Sequence, residues 1–170
     1  RWTGLRIINI ANPALPMQVG GVQPTRAATR VALAGNYAYV AGEGFGVIHI
    51  TNPAAPVEIY NTRGAVSVAA RGPYAYVVNG AALRILDMTI PSMPADVGEM
   101  ITPGDAWDVA VDENYIYVAD SAGGLLIYQF PPSVSAVIPT TGGTLTSPFD
   151  DVNYTFSPDT FNHAVIVTHT

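Results

Sequence analysis

The stretch GNYAYVAGEGFGVIHITNP, residues 35–53, decides the reading, because the chain writes it twice more. It returns as GPYAYVVNGAALRILDMTIP at 72–91 and as ENYIYVADSAGGLLIYQFP at 113–131, and a tail of the same phrase, GLRIINIANPALP, fills residues 4–16. Overlaid, the copies bring Tyr39, Tyr76 and Tyr117 into register, with separations of 37 and 41 residues. Nothing in them carries a helical period. The apolar residues alternate or run unbroken over four to six positions, as in strands covered on both faces.

A full copy contains four strand-like runs. The first (Thr29–Leu33, Val66–Ala70, Trp107–Val111) carries a valine at Val31, Val68 and Val109. A short polar or Gly/Pro turn leads to the tyrosine strand (Tyr37–Ala41, Tyr74–Val78, Tyr115–Ala119), and a glycine-bearing hairpin leads on to the aliphatic strand (Phe45–Ile50, Leu83–Met88, Leu125–Phe130). That hairpin lengthens by one residue from copy to copy, which a turn absorbs and a strand does not. Asn-Pro or a substitute follows (Asn12-Pro13, Asn52-Pro53, Ile90-Pro91, Pro131-Pro132), and then an outer strand at Met17–Val22, Val57–Thr62 and Ala95–Met100. A period near 40 residues with four strands per unit is the spacing of a propeller blade. The expected fold class is therefore all-β: a partial β-propeller of four-stranded antiparallel blades.

Composition removes several chemistries. The 170 residues contain no cysteine, which excludes disulfides, thiolate metal sites, iron–sulfur clusters and cysteine nucleophiles. The seven basic residues are all arginine, which removes Schiff-base lysines and the lysine of a phosphate loop. A net charge of −6 argues against nucleic acid, which requires a basic face. No run reaches the ~20 apolar residues of a membrane-spanning helix. Few charges with plentiful Gly, Pro, Thr, Ser and Asn match the make-up of secreted, strand-rich surface proteins, so an extracellular or cell-surface location is expected.

The tyrosine strand, glycine hairpin, Leu83-Arg84-Ile85-Leu86-Asp87 strand and Asn-Pro turn together resemble the LVIVD repeat of bacterial and archaeal surface proteins, over about residues 4–132. That resemblance implies β-propeller blades. The aspartate of the motif falls at Asn9, His49, Asp87 and Gln129, a variation that suits a polar strand end better than a reacting group.

Residues 1–132 supply two full blades, the outer half of one before them and most of one after, too few for the typical four to eight of a ring. Each open end would leave several hundred Å² of apolar face in water, a loss on the order of 10 kcal/mol at ~25 cal/mol per Å². The expectation is a piece of a longer chain whose remaining blades cap these ends, or a chain that needs a partner to cap them. From Ser133 the period stops. Residues 133–170, with Thr140-Thr141-Gly142-Gly143 as a turn and strand patterns at Val152–Phe156 and His163–Thr168, resemble the opening of an Ig-like β-sandwich module of bacterial surface proteins.

Gly42-Glu43-Gly44-Phe45-Gly46 is followed by a strand where a dinucleotide site needs a helix, and reads as a hairpin. His49, His163 and His169 do not cluster: the last two, six apart on one strand, would stand ~20 Å from each other. No Gly-x-Ser-x-Gly is present. Asp105, Asp108, Asp112 and Glu113 gather around the first strand of the last blade, and three readings compete: a solvated loop, a cation site, or catalytic acids of a polysaccharide hydrolase or lyase. At the position of Asp108 the other copies have Arg30 and Ser67. Asp150, Asp151 and Asp159 fit either a calcium site or a polar turn. The recurring tyrosines suit blade-to-blade packing, which leaves Trp2, Phe45 and Trp107 as exposed aromatic candidates.

These observations lead us to expect a non-enzymatic binding or adhesion scaffold, with no catalytic residue, cofactor or metal ligand assigned. Rim loops at Glu43–Gly44, Asn79–Ala82 and Asp120–Gly124 would meet a protein or glycan, with Glu43, Phe45, Asn79, Trp107, Asp108 and Asp120 as contact candidates. A hydrolase working through Asp105–Glu113 or through further blades, and a structural spacer, are the alternatives.

Overall fold

Alternation along the tyrosine strand puts Tyr39 and Ala41 on one side and Ala38 and Val40 on the other, and both sides are buried. A strand covered on both faces must lie inside a stack of sheets. The computed structural model describes residues 4–129 and, by their backbone, the strand residues 134–138, 143–146, 153–156 and 165–169. Among these residues there is no helix. The chain divides into two compact units, Arg1–Tyr128 and Gln129–Thr170.

The first unit opens with an antiparallel pair, β1 (Leu5–Asn9) and β2 (Met17–Val22). Blade one follows as a four-stranded antiparallel sheet in sequence order: β3 (Ala28–Ala34), β4 (Tyr37–Gly42), β5 (Gly44–His49) and β6 (Val57–Arg63). The next six strands form one curled sheet, β7 (Ser67–Arg71), β8 (Tyr74–Val78), β9 (Gly80–Asp87), β10 (Ala95–Val111), β11 (Tyr115–Asp120) and β12 (Gly124–Gln129). The 17-residue β10 is shared: Ala95–Ile101 closes blade two against β9, and Ala106–Val111 opens blade three against β11. The repeat register leads to separate strands at Ala95–Met100 and Trp107–Val111, yet the chain stays extended between them, through Pro103-Gly104. Proline has no amide to leave unpaired there, and the Gly104 amide is taken up by the Asp120 carboxylate.

Packing runs from blade to blade. Ala38, Val40 and Ile48 of blade one meet Leu5 and Val22 of the opening pair. Its opposite face, with Tyr39, Ala41, Phe45 and Val47, meets Val68, Ala75, Val77, Leu86 and Met88 of blade two. Tyr76 occupies the place of Tyr39 one blade on and is equally buried. The architecture is a partial β-propeller. Faces with no neighbouring blade among the described residues are wet: Val31 is 54 % exposed, whereas Val68 at the same repeat position is 6 % exposed.

Two short-range devices shape the ends of the strands. The turns between first and second strands use a left-handed residue, Gly35 at φ 53° and Gly72 at φ 55°, which only glycine adopts without strain. Blade three has no glycine there, and the Asp112 carboxylate gathers the turn by accepting the amides of Asn114 and Tyr115, both at 2.8 Å. The slot of the motif aspartate behaves as a polar strand end. Asn9 Oδ1 accepts the Ala11 amide, Asp87 Oδ1 accepts the Thr89 amide and hydroxyl, and His49 Nε2 lies 2.8 Å from the Thr51 hydroxyl.

In the second unit β13 (Val134–Ile138) pairs with β16 (Val165–His169), and β14 (Gly143–Thr146) pairs with β15 (Asn153–Phe156), both antiparallel. Trp2, Thr140-Thr141-Gly142, Asp150, Asp151, Asp159 and His163 lie outside the described residues.

Candidate functional site

In a stack of repeats, one position of each innermost strand must face the common axis. Here that position is Arg30 on β3, Ser67 on β7 and Asp108 on β10, and the three side chains meet. The Ser67 hydroxyl donates to Asp108 Oδ1 at 2.5 Å, and Arg30 Nε lies 3.8 Å from the same oxygen. Residues 41 and 78 positions apart in sequence, at one position of the repeat, are thus within one cluster. Ser67 is buried, whereas the Arg30 and Asp108 side chains are 52 % and 56 % exposed.

A β-bulge sits at the entry to this cluster in two blades. The ladder passes from Ala106↔Asp120 to Asp108↔Ala119, which leaves Trp107 as the extra residue, and from Ala28↔Gly42 to Arg30↔Ala41, which leaves Thr29 in the same role. A bulge interrupts the alternation that would otherwise send neighbouring side chains to opposite faces. Trp107 is 59 % exposed. Trp107 and Asp108 are thus successive residues of one bulge, and Asp108 contacts Arg30 and Ser67, the two residues that register puts at its repeat position.

The remaining candidates separate into surface and core. Glu43 is exposed and is the single residue between β4 and β5; its amide donates to the Ala27 carbonyl. Asn79, half-buried, is the single residue between β8 and β9, and its side-chain oxygen accepts the Ala82 amide at 2.9 Å. The expected loop Asn79–Ala82 is mostly strand, because Gly80 (φ 93°) turns the chain tightly enough for Gly80 and Ala82 to pair with Ala106 and Ile101.

Phe45 requires correction: it is not an exposed aromatic but 2 % exposed, packed 6.1 Å from Tyr39 and 6.3 Å from Tyr60, ring centre to ring centre. Asp120 also requires correction as a contact residue. It is buried, and its carboxylate accepts the amides of Gly104 (3.1 Å), Ala122 (3.0 Å) and Gly123 (2.5 Å). Burial alone would raise its pKa, but these donors outweigh burial and hold it below the ordinary aspartate value.

The acidic stretch does not act as one group. Asp108 faces the axis, while Asp112, four residues along the strand and so ~13 Å away, serves the far turn. There the Asn114 amide, the Tyr117 hydroxyl at 2.8 Å and the Tyr115 amide lower the Asp112 pKa, and the same hydroxyl contact raises that of Tyr117. Paired glycosidase acids stand roughly 5–9.5 Å apart. Among the described residues no group of three or more His, Cys, Asp or Glu side chains is placed to hold a metal ion, and no helix is long and apolar enough to cross a membrane.

Comparison with curated proteins returns no match, and the Ig-like resemblance of residues 133–170 finds no family match. The LVIVD repeat model matches residues 25–63, 62–102 and 103–128. Those boundaries coincide with blade one, with blade two as far as the middle of β10, and with the three strands of blade three. Three consecutive matches spanning more than half of the chain, each laid on one blade, establish that the protein belongs to the LVIVD repeat family.

Proposed function

We propose that the protein is a non-enzymatic binding scaffold of the cell exterior, whose stacked blades hold one rim and its axial mouth toward a protein or glycan. The observation that carries this reading is the contrast between repeat positions. Those that pack, such as Tyr39 and Tyr76, keep their residue type, whereas those at the mouth change it completely, from Arg30 to Ser67 to Asp108. Repetition serves the core, and variation on a rigid frame is how such scaffolds acquire a ligand. The separation of Asp108 from Asp112 weighs against those two working as a hydrolase pair. The reading includes two further parts: remaining blades of a longer chain cover the exposed apolar faces at Val31–Leu33 and Leu125–Ile127, and residues 133–170 begin an Ig-like module.

The test is an array of glycans and secreted proteins presented to the full-length protein, scored for binding and for turnover. Saturable binding without turnover is expected. Turnover abolished by Asp108→Asn would replace the scaffold by an enzyme, and an absence of any binding would leave a spacer.

A further inference from the structure

Trp107, 59 % exposed, immediately precedes Asp108, whose carboxylate meets the Ser67 hydroxyl and the Arg30 guanidinium. Thr29, its counterpart on blade one, stands at the same bulge with a small polar side chain. A bare indole in water forgoes the burial of a large apolar face, and bulges in sheets are the places where a strand re-aims a side chain.

The cluster keeps unused hydrogen-bonding capacity. The Arg30 fork spends Nη1 on the Thr29 carbonyl at 3.3 Å and approaches Asp108 through Nε only, at 3.8 Å. Among the described residues Asp108 accepts Ser67 and the Val109 amide on Oδ1, at 2.5 and 3.1 Å, and Oδ2 takes no hydrogen bond there. Donors and acceptors thus sit side by side, and the opposite charges of Arg30 and Asp108 cancel, so the mouth favours neither an acidic nor a basic ligand.

From this combination we propose that the mouth formed by Thr29, Arg30, Ser67, Trp107 and Asp108 is a subsite for one pyranose ring of a neutral glycan. A sugar ring offers an apolar C–H face to the indole, and each of its hydroxyls donates and accepts, matching the guanidinium on one side and the carboxylate on the other. A folded protein partner needs roughly 800 Å² of surface on each side, far more than these five side chains present. The assignment rests on the scaffold reading and sharpens it to a place and a ligand class.

Trp2 is the other tryptophan of these 170 residues, so in the full-length protein with Trp2 and any tryptophan outside them replaced by Phe, the emission of Trp107 reports the mouth alone. Neutral cello-, manno- and xylo-oligosaccharides are titrated into this variant of the full-length protein. At least one series should shift the emission saturably. Asp108→Ala and Arg30→Ala should each weaken that binding at least tenfold, and Trp107→Ala should abolish capture on the glycan array while Trp107→Phe retains part of it. Glu99→Gln, exposed on the outer part of β10 opposite Arg84, should bind as the parent does. Matching unfolding midpoints confirm that each variant is folded. No response to any neutral series, or a response only to polyuronates or to a protein, overturns the assignment. If Trp107→Ala leaves glycan capture intact, the mouth is not the subsite but the scaffold reading stands; if the array captures nothing, both fall.

Discussion

The seam between blades one and two and the axial mouth are built from the same repeats, yet they obey opposite rules. In packing, residues in register do the same job: Tyr39 and Phe45 are buried at this seam, and Tyr76 and Leu83 are buried at the same repeat positions one blade on. At the mouth, residues in register do different jobs and are useful to one another because they differ. Arg30, Ser67 and Asp108 form a contact that three identical residues could not, since three arginines or three aspartates would repel. The packing of a repeat protein is thus legible in what its copies share, and its ligand chemistry in what they do not.

The sharpest way to break this contrast lies at one repeat position with two environments. Phe45→Ala removes a ring enclosed by Tyr39, Tyr60 and the facing blade, and should cost about 3–5 kcal/mol in denaturant unfolding. Leu125 occupies the equivalent position and is 64 % exposed, so Leu125→Ala should cost about 1 kcal/mol or less. That holds where the face stays in water; in the longer chain, whose further blade is proposed to cover it, the cost at Leu125 should approach that at Phe45, and a cost that stays near ~1 kcal/mol there would break that part of the proposal.

Asp120 comes next. Its pKa is held below the unfolded value by the Gly123, Gly104 and Ala122 amides. The stability it contributes is therefore present above the unfolded pKa, about 4, and is lost as pH falls through the lower, folded value. Asp120→Asn sets an amide NH₂ among backbone donors, so the variant should be less stable at pH 7 and should lose less on acidification below pH 4. Because Asp87 and Asp112 are also lowered by local donors, the acid loss is reduced rather than abolished. Thermal melts of parent and variant from pH 7 to pH 2.5 that run parallel would show that the carboxylate is not held as the geometry indicates.

This residue also shows why the candidate site was less legible than the fold. The blades followed from local signals: the register of Tyr39, Tyr76 and Tyr117, alternation, and turn residues such as Gly35. The exposure of a polar turn residue follows from contacts across the sequence. Asp120 and Glu43 both read as rim acids, and only the arrival of the Gly104 amide, sixteen residues away, turns one of them inward. Phe45 was misread for a different reason, since its register with Leu83 already placed it in the core. Neither the continuity of β10 through Pro103-Gly104 nor the meeting of Arg30 with Asp108 has a local signature, because both depend on how one blade is set against the next.

Smaller effects test the mouth. Ser67→Ala removes the one buried member, whose hydroxyl donates to Asp108. The carboxylate it leaves is more than half exposed and can turn to water, so the loss should be about 1 kcal/mol; a loss of several would make Ser67–Asp108 a structural clasp between blades.

The smallest effect is expected where the chemistry is proposed to be richest. Trp107 is the extra residue of a bulge, so its backbone pairing does not depend on its side chain, and its indole is mostly in water. Trp107→Ala should therefore change unfolding free energy by no more than about 0.5 kcal/mol. The bulge itself is set by the register of β10 on β11, which alanine preserves, and alanine fits the extended conformation there without strain. A loss above about 2 kcal/mol would instead identify the indole as core, wedged against a neighbouring blade. Position 107 would then belong with Phe45 among the packing residues, and the distinction between seam and mouth would fail at the residue on which it depends most.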